Sequence, residues 1–135
     1  MALIFNFEVH TPYRLFFYGK AQAVILQLID GEICVYANHS PFTSLSISGQ
    51  LQIKDEEGMW RSAFVAKGIL EVKEHKNVLM VDAAEWPEEI DKTRAIKSKE
   101  EAEKALKDTN FRFEIDKSKE KLRRANYRLK VANGD

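Results

Sequence analysis

Cysteine is almost absent from this chain of 135 residues: Cys34 is the only one, so neither a disulfide framework nor a paired-cysteine metal site can form within it. The N-terminus has no basic region followed by an apolar stretch, and no window approaches the roughly 18 apolar residues of a membrane-spanning helix. We therefore expect an untargeted soluble protein of a reducing compartment, which reaches a membrane through partners and does not insert directly.

Net charge is also missing, because 21 basic residues balance 21 acidic ones. This balance argues against a general attraction to nucleic acid or to acidic lipid. The charges are nevertheless uneven, since the chain from Glu88 onward holds 14 Lys or Arg and 11 Asp or Glu. The length suits one core of ordinary size with a small appendage.

The motifs of common enzymes are missing as well. The sequence contains no GxxxxGK[ST] phosphate loop, no GxGxxG after a strand and no GxSxG elbow. His10, His39 and His75 are scattered, without an HExxH motif or carboxylates at ligand spacing. Catalytic and metal-ligating residues are therefore not predicted, and we expect a protein that is not an enzyme.

Proline and glycine are absent between Glu88 and Asn133, and this absence divides the chain into two parts. Before that segment, apolar and polar residues alternate over short runs, which is typical of strands with one buried face. Turn signals recur at intervals of roughly 8 to 12 residues, notably at Asp30-Gly31, Ser48-Gly49 and His75-Lys76-Asn77. The pattern predicts an antiparallel β sandwich or barrel over residues 1–86.

Residues 87–135 are predicted to form an antiparallel two-helix hairpin, which makes the fold class α+β and mainly β. Pro87 suits a first helical turn, so the first helix is expected from about Pro87 to Lys107 with acidic residues at its start. The second is expected from about Phe113 to Ala132, because small and apolar residues recur at helical spacing: Ile115, Ser118, Leu122, Ala125, Leu129 and Ala132. A seam with so few large side chains buries little apolar area, so the hairpin is expected to exchange between packed and opened positions.

The second predicted helix is strongly basic between Lys117 and Lys130. One acid, Glu120, stands there among seven basic residues: Lys117, Lys119, Lys121, Arg123, Arg124, Arg128 and Lys130. One interpretation is a solvated face whose cations favour the helix C-terminus. Another is a surface for an acidic partner. Nucleic acid is disfavoured as that partner, because Tyr127 is the only aromatic residue available for stacking in this stretch.

Asp91 and Arg94 lie three residues apart at the start of the hairpin. The simpler interpretation is a local pair across one helical turn, worth a few tenths of a kcal/mol. An antiparallel hairpin also places Arg94 opposite Arg124 and Arg128, at the far end of the second helix. Three guanidinium groups in one place require an anion, and their planar forks suit a polyphosphate.

Several stretches together resemble the epsilon subunit of bacterial F-type ATP synthase over nearly the whole chain. They are VHTPYRLFF, DGEICVYANHSPF, KGILEV, RRANYRLKVA and AAEWPEEIDKTRA, the last of which contains the family's I/L-D-x-x-R-A signature in full. The resemblance implies a non-catalytic rotor subunit in the central stalk of a proton- or sodium-translocating ATP synthase, at the cytoplasmic face of the bacterial membrane. Its sandwich would bind the gamma subunit and the membrane c-ring.

The resemblance also implies a regulatory hairpin. In the family it can open along gamma, where its basic helix meets the catalytic alpha and beta subunits and blocks ATP hydrolysis; the corresponding residues here are Lys117, Lys121, Arg123, Arg124 and Arg128. In several bacterial members ATP binds the folded hairpin as a regulatory ligand, while no cofactor is required. That site maps onto Glu85, Ile90, Asp91, Arg94, Ala95, Arg124 and Arg128. The alternative is a purely structural rotor subunit whose hairpin stays folded and binds no nucleotide.

Overall fold

The computed structural model describes residues 3–134. Over that range the chain contains nine β-strands, one 3-10 turn and two α-helices. The strands are β1 (Phe5–His10), β2 (Leu15–Leu28), β3 (Gly31–Tyr36), β4 (Phe42–Ser46), β5 (Gly49–Asp55), β6 (Trp60–Val65), β7 (Gly68–Val72), β8 (Lys76–Val81) and β9 (Ala84–Glu85). The 3-10 turn spans Pro87–Glu89, and the helices are α1 (Lys92–Asp108) and α2 (Arg112–Ala132).

The strands hydrogen-bond in the order β1-β8-β7-β4-β2-β5-β6-β9, with β3 and β1 also paired to β2. The first half of β2 pairs with β1 and its second half with β3 and β5, so this one long strand joins the two layers of the sandwich. Within the described residues, every pairing is antiparallel except that of β1 with β8. The predicted sandwich followed by a helical hairpin is confirmed, with this one parallel pair added.

The core of the sandwich follows from the alternation in the sequence. In β1, Phe5, Phe7 and Val9 point inward, whereas Asn6 is exposed and Glu8 is only partly covered. Fully burying one such side chain contributes roughly 1.5 to 3 kcal/mol. The largest buried side chains come from both layers, which places a single core between them: Phe7, Leu26, Leu51, Ile53, Leu70 and Leu79.

Two turns show how well local signals located the strand ends. The turn at Asp30-Gly31 is confirmed, and Gly31 has a φ of 129°, which a residue with a Cβ rarely adopts. The reversal predicted at His75-Lys76-Asn77 is wrong by about two residues, because β8 already begins at Lys76. Asn77 is buried within β8, where its side-chain oxygen accepts the N–H of Lys73 at 3.3 Å and closes the turn.

The first helix begins later than predicted, at Lys92 and not at Pro87. Pro87–Glu89 forms a separate 3-10 turn, and Ile90 then has extended dihedrals of φ −80° and ψ 125°. That extension lets the Ile90 side chain pack into a small cluster with Phe64, Ala66 and Val131. A continuous helix from Pro87 would lose the extended segment through which Ile90 reaches this cluster.

The helices meet through the narrow seam that the sequence indicates, since Ala95 and Ala102 of α1 and Ser118 and Ala125 of α2 are buried. The predicted end of the seam at Ala132 is only half-buried, however, whereas Val131 is buried. Val131 faces the sandwich instead of α1, so α2 packs on two sides at once.

Candidate functional site

A cleft of about 420 Å³ opens where the sandwich, the start of α1 and the end of α2 come together. Glu85 reaches it from β9, and Arg128 reaches it from α2, 43 residues further along the chain. The complete lining is Glu85, Glu89, Asp91, Arg94, Ala95, Ser98 and Arg128. The lining combines two arginines, which suit an anion of the size of a small ligand, with three carboxylates, so anion binding there depends on how the carboxylates are paired.

Asp91 is the N-cap of α1, and its Oδ1 accepts the backbone N–H of Arg94 at 3.0 Å. This contact satisfies one of the free N–H groups at the helix start. The predicted pairing of Asp91 with the Arg94 guanidinium across a helical turn is therefore replaced by a cap. Over residues 3–134 the Arg94 guanidinium makes no ion pair, and it extends from an exposed position into the cleft.

Arg128 and Arg124 already have acidic partners. The Arg128 Nε donates to Glu85 Oε1 at 2.9 Å, and its guanidinium lies 4.4 Å above the Phe64 ring. The Arg124 Nε donates to Glu120 Oε2 at 3.0 Å. The sequence predicts that three arginines come together. Arg94 and Arg128 share the cleft, whereas Arg124 lines a neighbouring cavity of about 360 Å³. The two cavities share Ser98 and Arg128, so they are direct neighbours.

The two other residues predicted for the nucleotide site differ in position: Ala95 lies at the cleft and Ile90 does not. Ala95 lines the cleft, and its small side chain leaves room beside Arg94. Ile90 is not part of the cleft lining, because its side chain is buried in the cluster with Phe64 and Val131. Its contribution is to hold the linker, residues 86–91 between β9 and α1, against the sandwich, which fixes where Asp91 begins the helix.

Glu89 and Ser98 line the cleft although neither was predicted as a site residue. The Glu89 carboxylate accepts two hydrogen bonds from the Arg14 guanidinium, at 2.8 and 2.9 Å, and one from the Trp86 N–H at 2.9 Å. Arg14, followed by the Trp86 N–H, holds the pKa of Glu89 below its usual range. The contact from the Trp86 N–H to the Glu89 side chain, three residues on, is one half of a capping box; the other half needs a side-chain acceptor at the N-cap, which Trp86 lacks. The partner 75 residues away was not visible in the sequence.

The basic face of α2 is largely engaged in this folded state. Lys121 contacts Glu101 of α1 at 2.7 Å. Arg123 donates to the Ser48 carbonyl, while the Ser48 hydroxyl donates to Glu120 at 2.9 Å. Of the residues predicted to contact the catalytic head, Lys117 alone lies exposed with no partner among the described residues, at the edge of the second cavity. Most of that cationic surface is therefore bound to the protein itself.

No helix in residues 3–134 is long and apolar enough to cross a membrane. In the same range, no group of three or more His, Cys, Asp or Glu side chains could hold a metal ion.

The fold and the cleft define a class of protein in which a β sandwich carries a docked helical hairpin. A family model described as the beta-sandwich domain of the ATP synthase Delta/Epsilon chain matches residues 4–87, and the model of that chain's long alpha-helix domain matches residues 88–133. This chain belongs to the ATP synthase delta/epsilon chain family. Membership makes it a non-catalytic subunit and confirms the resemblance read from the sequence.

Individual relatives agree with the family models. The ATP synthase epsilon chain of Caldicellulosiruptor bescii is 44% identical over 128 residues, which cover 95% of this chain and 93% of the relative. That of Caldanaerobacter subterraneus is 39% identical over 130 residues, with 96% and 94% covered. A chain in the mitochondrial ATP synthase of Euglena gracilis has the same fold, with a TM-score of 0.82 at 19% identity over 96% of this chain and 81% of that one.

Proposed function

We propose that this chain is a rotor subunit in the central stalk of a proton- or sodium-translocating ATP synthase, bound at the cytoplasmic face of a bacterial membrane. The proposal is supported by family membership over both parts of the chain and by bacterial relatives of almost the same length. In this role the sandwich binds the gamma subunit and the c-ring. It thereby keeps rotation coupled to ion flow.

The hairpin acts as a switch that inhibits ATP hydrolysis when it opens. In the folded state Lys121, Arg123, Arg124 and Arg128 are bound to groups of this chain. Opening separates Lys121, Arg123 and Arg128 from partners outside α2 and makes them available to acidic segments of the alpha and beta subunits. Arg124 keeps Glu120, which lies on the same helix, and loses only its longer contact with Asp82. The exposed Lys121–Glu101 pair is worth about 1 kcal/mol or less, so partners of moderate affinity can compete for Lys121.

ATP binds the cleft of the folded hairpin as a regulatory ligand and is not hydrolysed. The observation that supports this most directly is that Asp91, Arg94 and Ala95 of the signature share one cleft with Glu85 and Arg128 from two other elements. Arg94 binds phosphate oxygens. Arg128 leaves its hydrogen bond to Glu85 and binds phosphate oxygens as well. A ligand that contacts both the sandwich side and the hairpin side favours the folded state by its differential affinity.

Isothermal titration calorimetry of the purified chain with ATP, with and without magnesium, tests this proposal. We expect saturable one-to-one binding, weakened at least about tenfold in Arg94→Ala, which loses a charge-assisted contact worth roughly 1.5 to 3 kcal/mol. Arg112→Ala is the matched control, because Arg112 pairs only locally with Asp116 and lines neither cavity. Absence of heat at millimolar ATP would rule out the regulatory ligand.

The alternative is a purely structural rotor subunit with a permanently folded hairpin. It is favoured by the fact that Arg128 has Glu85 as a partner and Asp91 caps α1 without any ligand. Under this alternative, the same titration gives no binding to the unmodified chain. ATP then also leaves the rate of amide hydrogen exchange in the hairpin unchanged.

A further inference from the structure

Arg14 lies just outside the cleft and binds one of its lining residues, Glu89. It lies in the connection between β1 and β2 and is tied down on several sides. Its two terminal nitrogens bind the two oxygens of Glu89, and one of them also donates to the Ala84 carbonyl at 3.2 Å. Its guanidinium lies 5.0 Å from the centre of the Phe16 ring. Paired hydrogen bonds of this kind fix the orientation of both partners.

The charge balance of the cleft gives this contact its importance. The lining contains three carboxylates, Glu85, Glu89 and Asp91, and two guanidiniums, Arg94 and Arg128. Glu85 is neutralised from within the cleft by Arg128, and Asp91 accepts a backbone N–H at the start of α1. Among the described residues, Arg14 is the one cation paired with Glu89, and Arg14 is not itself part of the lining. Without Arg14 the cleft therefore gains an uncompensated negative charge.

We propose that Arg14 is a positioning residue for the ligand: it neutralises and orients Glu89, so that Glu89 neither repels bound phosphate groups nor turns to pair with Arg94. The inference rests on the proposed binding of a nucleotide in this cleft. It adds to that proposal a residue of the sandwich, 80 positions before Arg94 in the sequence, as a determinant of affinity. Arg14 affects the ligand through Glu89 and makes no contact with it.

The test compares ATP affinity, by calorimetry, in four variants and the unmodified chain. Arg14→Ala is expected to weaken binding about three- to tenfold, as suits one unit charge near a partly solvated site. Glu89→Gln is expected to bind ATP up to about threefold more tightly, because it removes a negative charge from the cleft lining and leaves the Arg14 cation unopposed, while the amide keeps an oxygen for the Trp86 N–H. The double variant Arg14→Ala/Glu89→Gln is expected to recover affinity to within about twofold.

Arg61→Ala is the matched control. The Arg61 guanidinium lies 4.0 Å over the Trp86 ring, so its removal loosens the same linker without changing the charge on Glu89. We expect it to bind ATP nearly as the unmodified chain does. Raising the ionic strength from about 0.02 M to about 0.5 M should shrink the difference between Arg14→Ala and the unmodified chain, because a purely electrostatic effect is screened.

The outcomes separate the two proposals. If the unmodified chain does not bind ATP, the nucleotide proposal fails and this inference fails with it. If the unmodified chain binds and Arg14→Ala binds equally well, only the inference about Arg14 fails. Weak binding by both Arg14→Ala and the double variant would show that Arg14 merely supports the linker, and would overturn the electrostatic role.

Discussion

Val131→Ala is expected to release the hairpin while leaving the sandwich folded. Val131 is 1% exposed and packs with Phe64, Ala66 and Ile90, in a cluster that α2 shares with the sandwich and the linker. The main sandwich core is a separate cluster that contains none of these residues. A cavity at Val131 therefore weakens the docking of α2 far more than it weakens the sandwich.

The expected magnitude follows from the atoms removed. Val→Ala deletes two buried methyl groups at about 0.8 kcal/mol each, and the residual cavity raises the cost to about 2 kcal/mol. Because 1.4 kcal/mol corresponds to a factor of ten, the open population should rise roughly thirtyfold. The polar contacts of α2 with the sandwich, which involve Arg123, Glu120 and Arg128, are the same in both proteins and therefore do not offset that loss.

Amide hydrogen exchange, followed by mass spectrometry peptide by peptide, measures this effect. Faster exchange is expected in α1 and α2 but not in the strands of the main core. Ile96→Ala is the control, because Ile96 is an apolar residue of α1 that is 47% exposed and loses little burial. Unchanged exchange in α2, or an equal acceleration in the sandwich and the hairpin, would refute the conclusion that Val131 specifically secures the hairpin.

Two further predictions concern the sandwich and the linker. A Cβ on Gly68 would lie 1.8 Å from the Met80 carbonyl oxygen, which is backbone and cannot move aside. Gly68→Ala should therefore destabilise the protein by about 3 kcal/mol or more in denaturant unfolding. Gly19→Ala is the control and should cost much less, because its Cβ meets only a side chain at 3.3 Å. Arg14 lowers the pKa of Glu89 in the folded state. The Arg14–Glu89 pair should therefore stabilise the fold fully above the pKa of about 4.3 that Glu89 has in the unfolded chain. That stabilisation should be lost as the pH falls through the lower pKa of the folded state. Unfolding midpoints of the unmodified chain and Glu89→Gln should thus converge on acidification, and a gap that is constant with pH would contradict this.

Local patterns in the sequence were sufficient for much of the fold. Alternation placed the strands because one face of each is buried, and the spacing of Ser118 and Ala125 found the seam of α2 because it repeats along one helix. The signature around Asp91 and Arg94 likewise located the cleft, although geometry changed the role of Asp91 from a side-chain partner to a helix cap.

The contacts that sequence reasoning missed are those between distant segments. Glu89 was read as an acid at the start of a helix, whereas it binds Arg14, 75 residues away. Pro87 was read as the first residue of that helix, whereas the burial of Ile90 keeps the following backbone extended. Val131 lies next to the predicted seam and outside it, and it is buried because α2 packs on the sandwich as well as on α1.

These contacts also determine where the hairpin would pivot. The linker is secured to the sandwich up to Ile90: Trp86 lies between the Phe16 ring at 4.3 Å and the Arg61 guanidinium at 4.0 Å, and Glu89 binds Arg14. An opening motion would therefore turn near Asp91, leaving Glu85 and Glu89 on the sandwich while Arg94 and Arg128 move away. A ligand that binds both sides would stabilise the closed form by about 2.7 kcal/mol at a concentration one hundred times its Kd. That exceeds the roughly 2 kcal/mol assigned above to the Val131 methyl groups, so ligand binding and the packing of α2 control the same equilibrium with comparable strength.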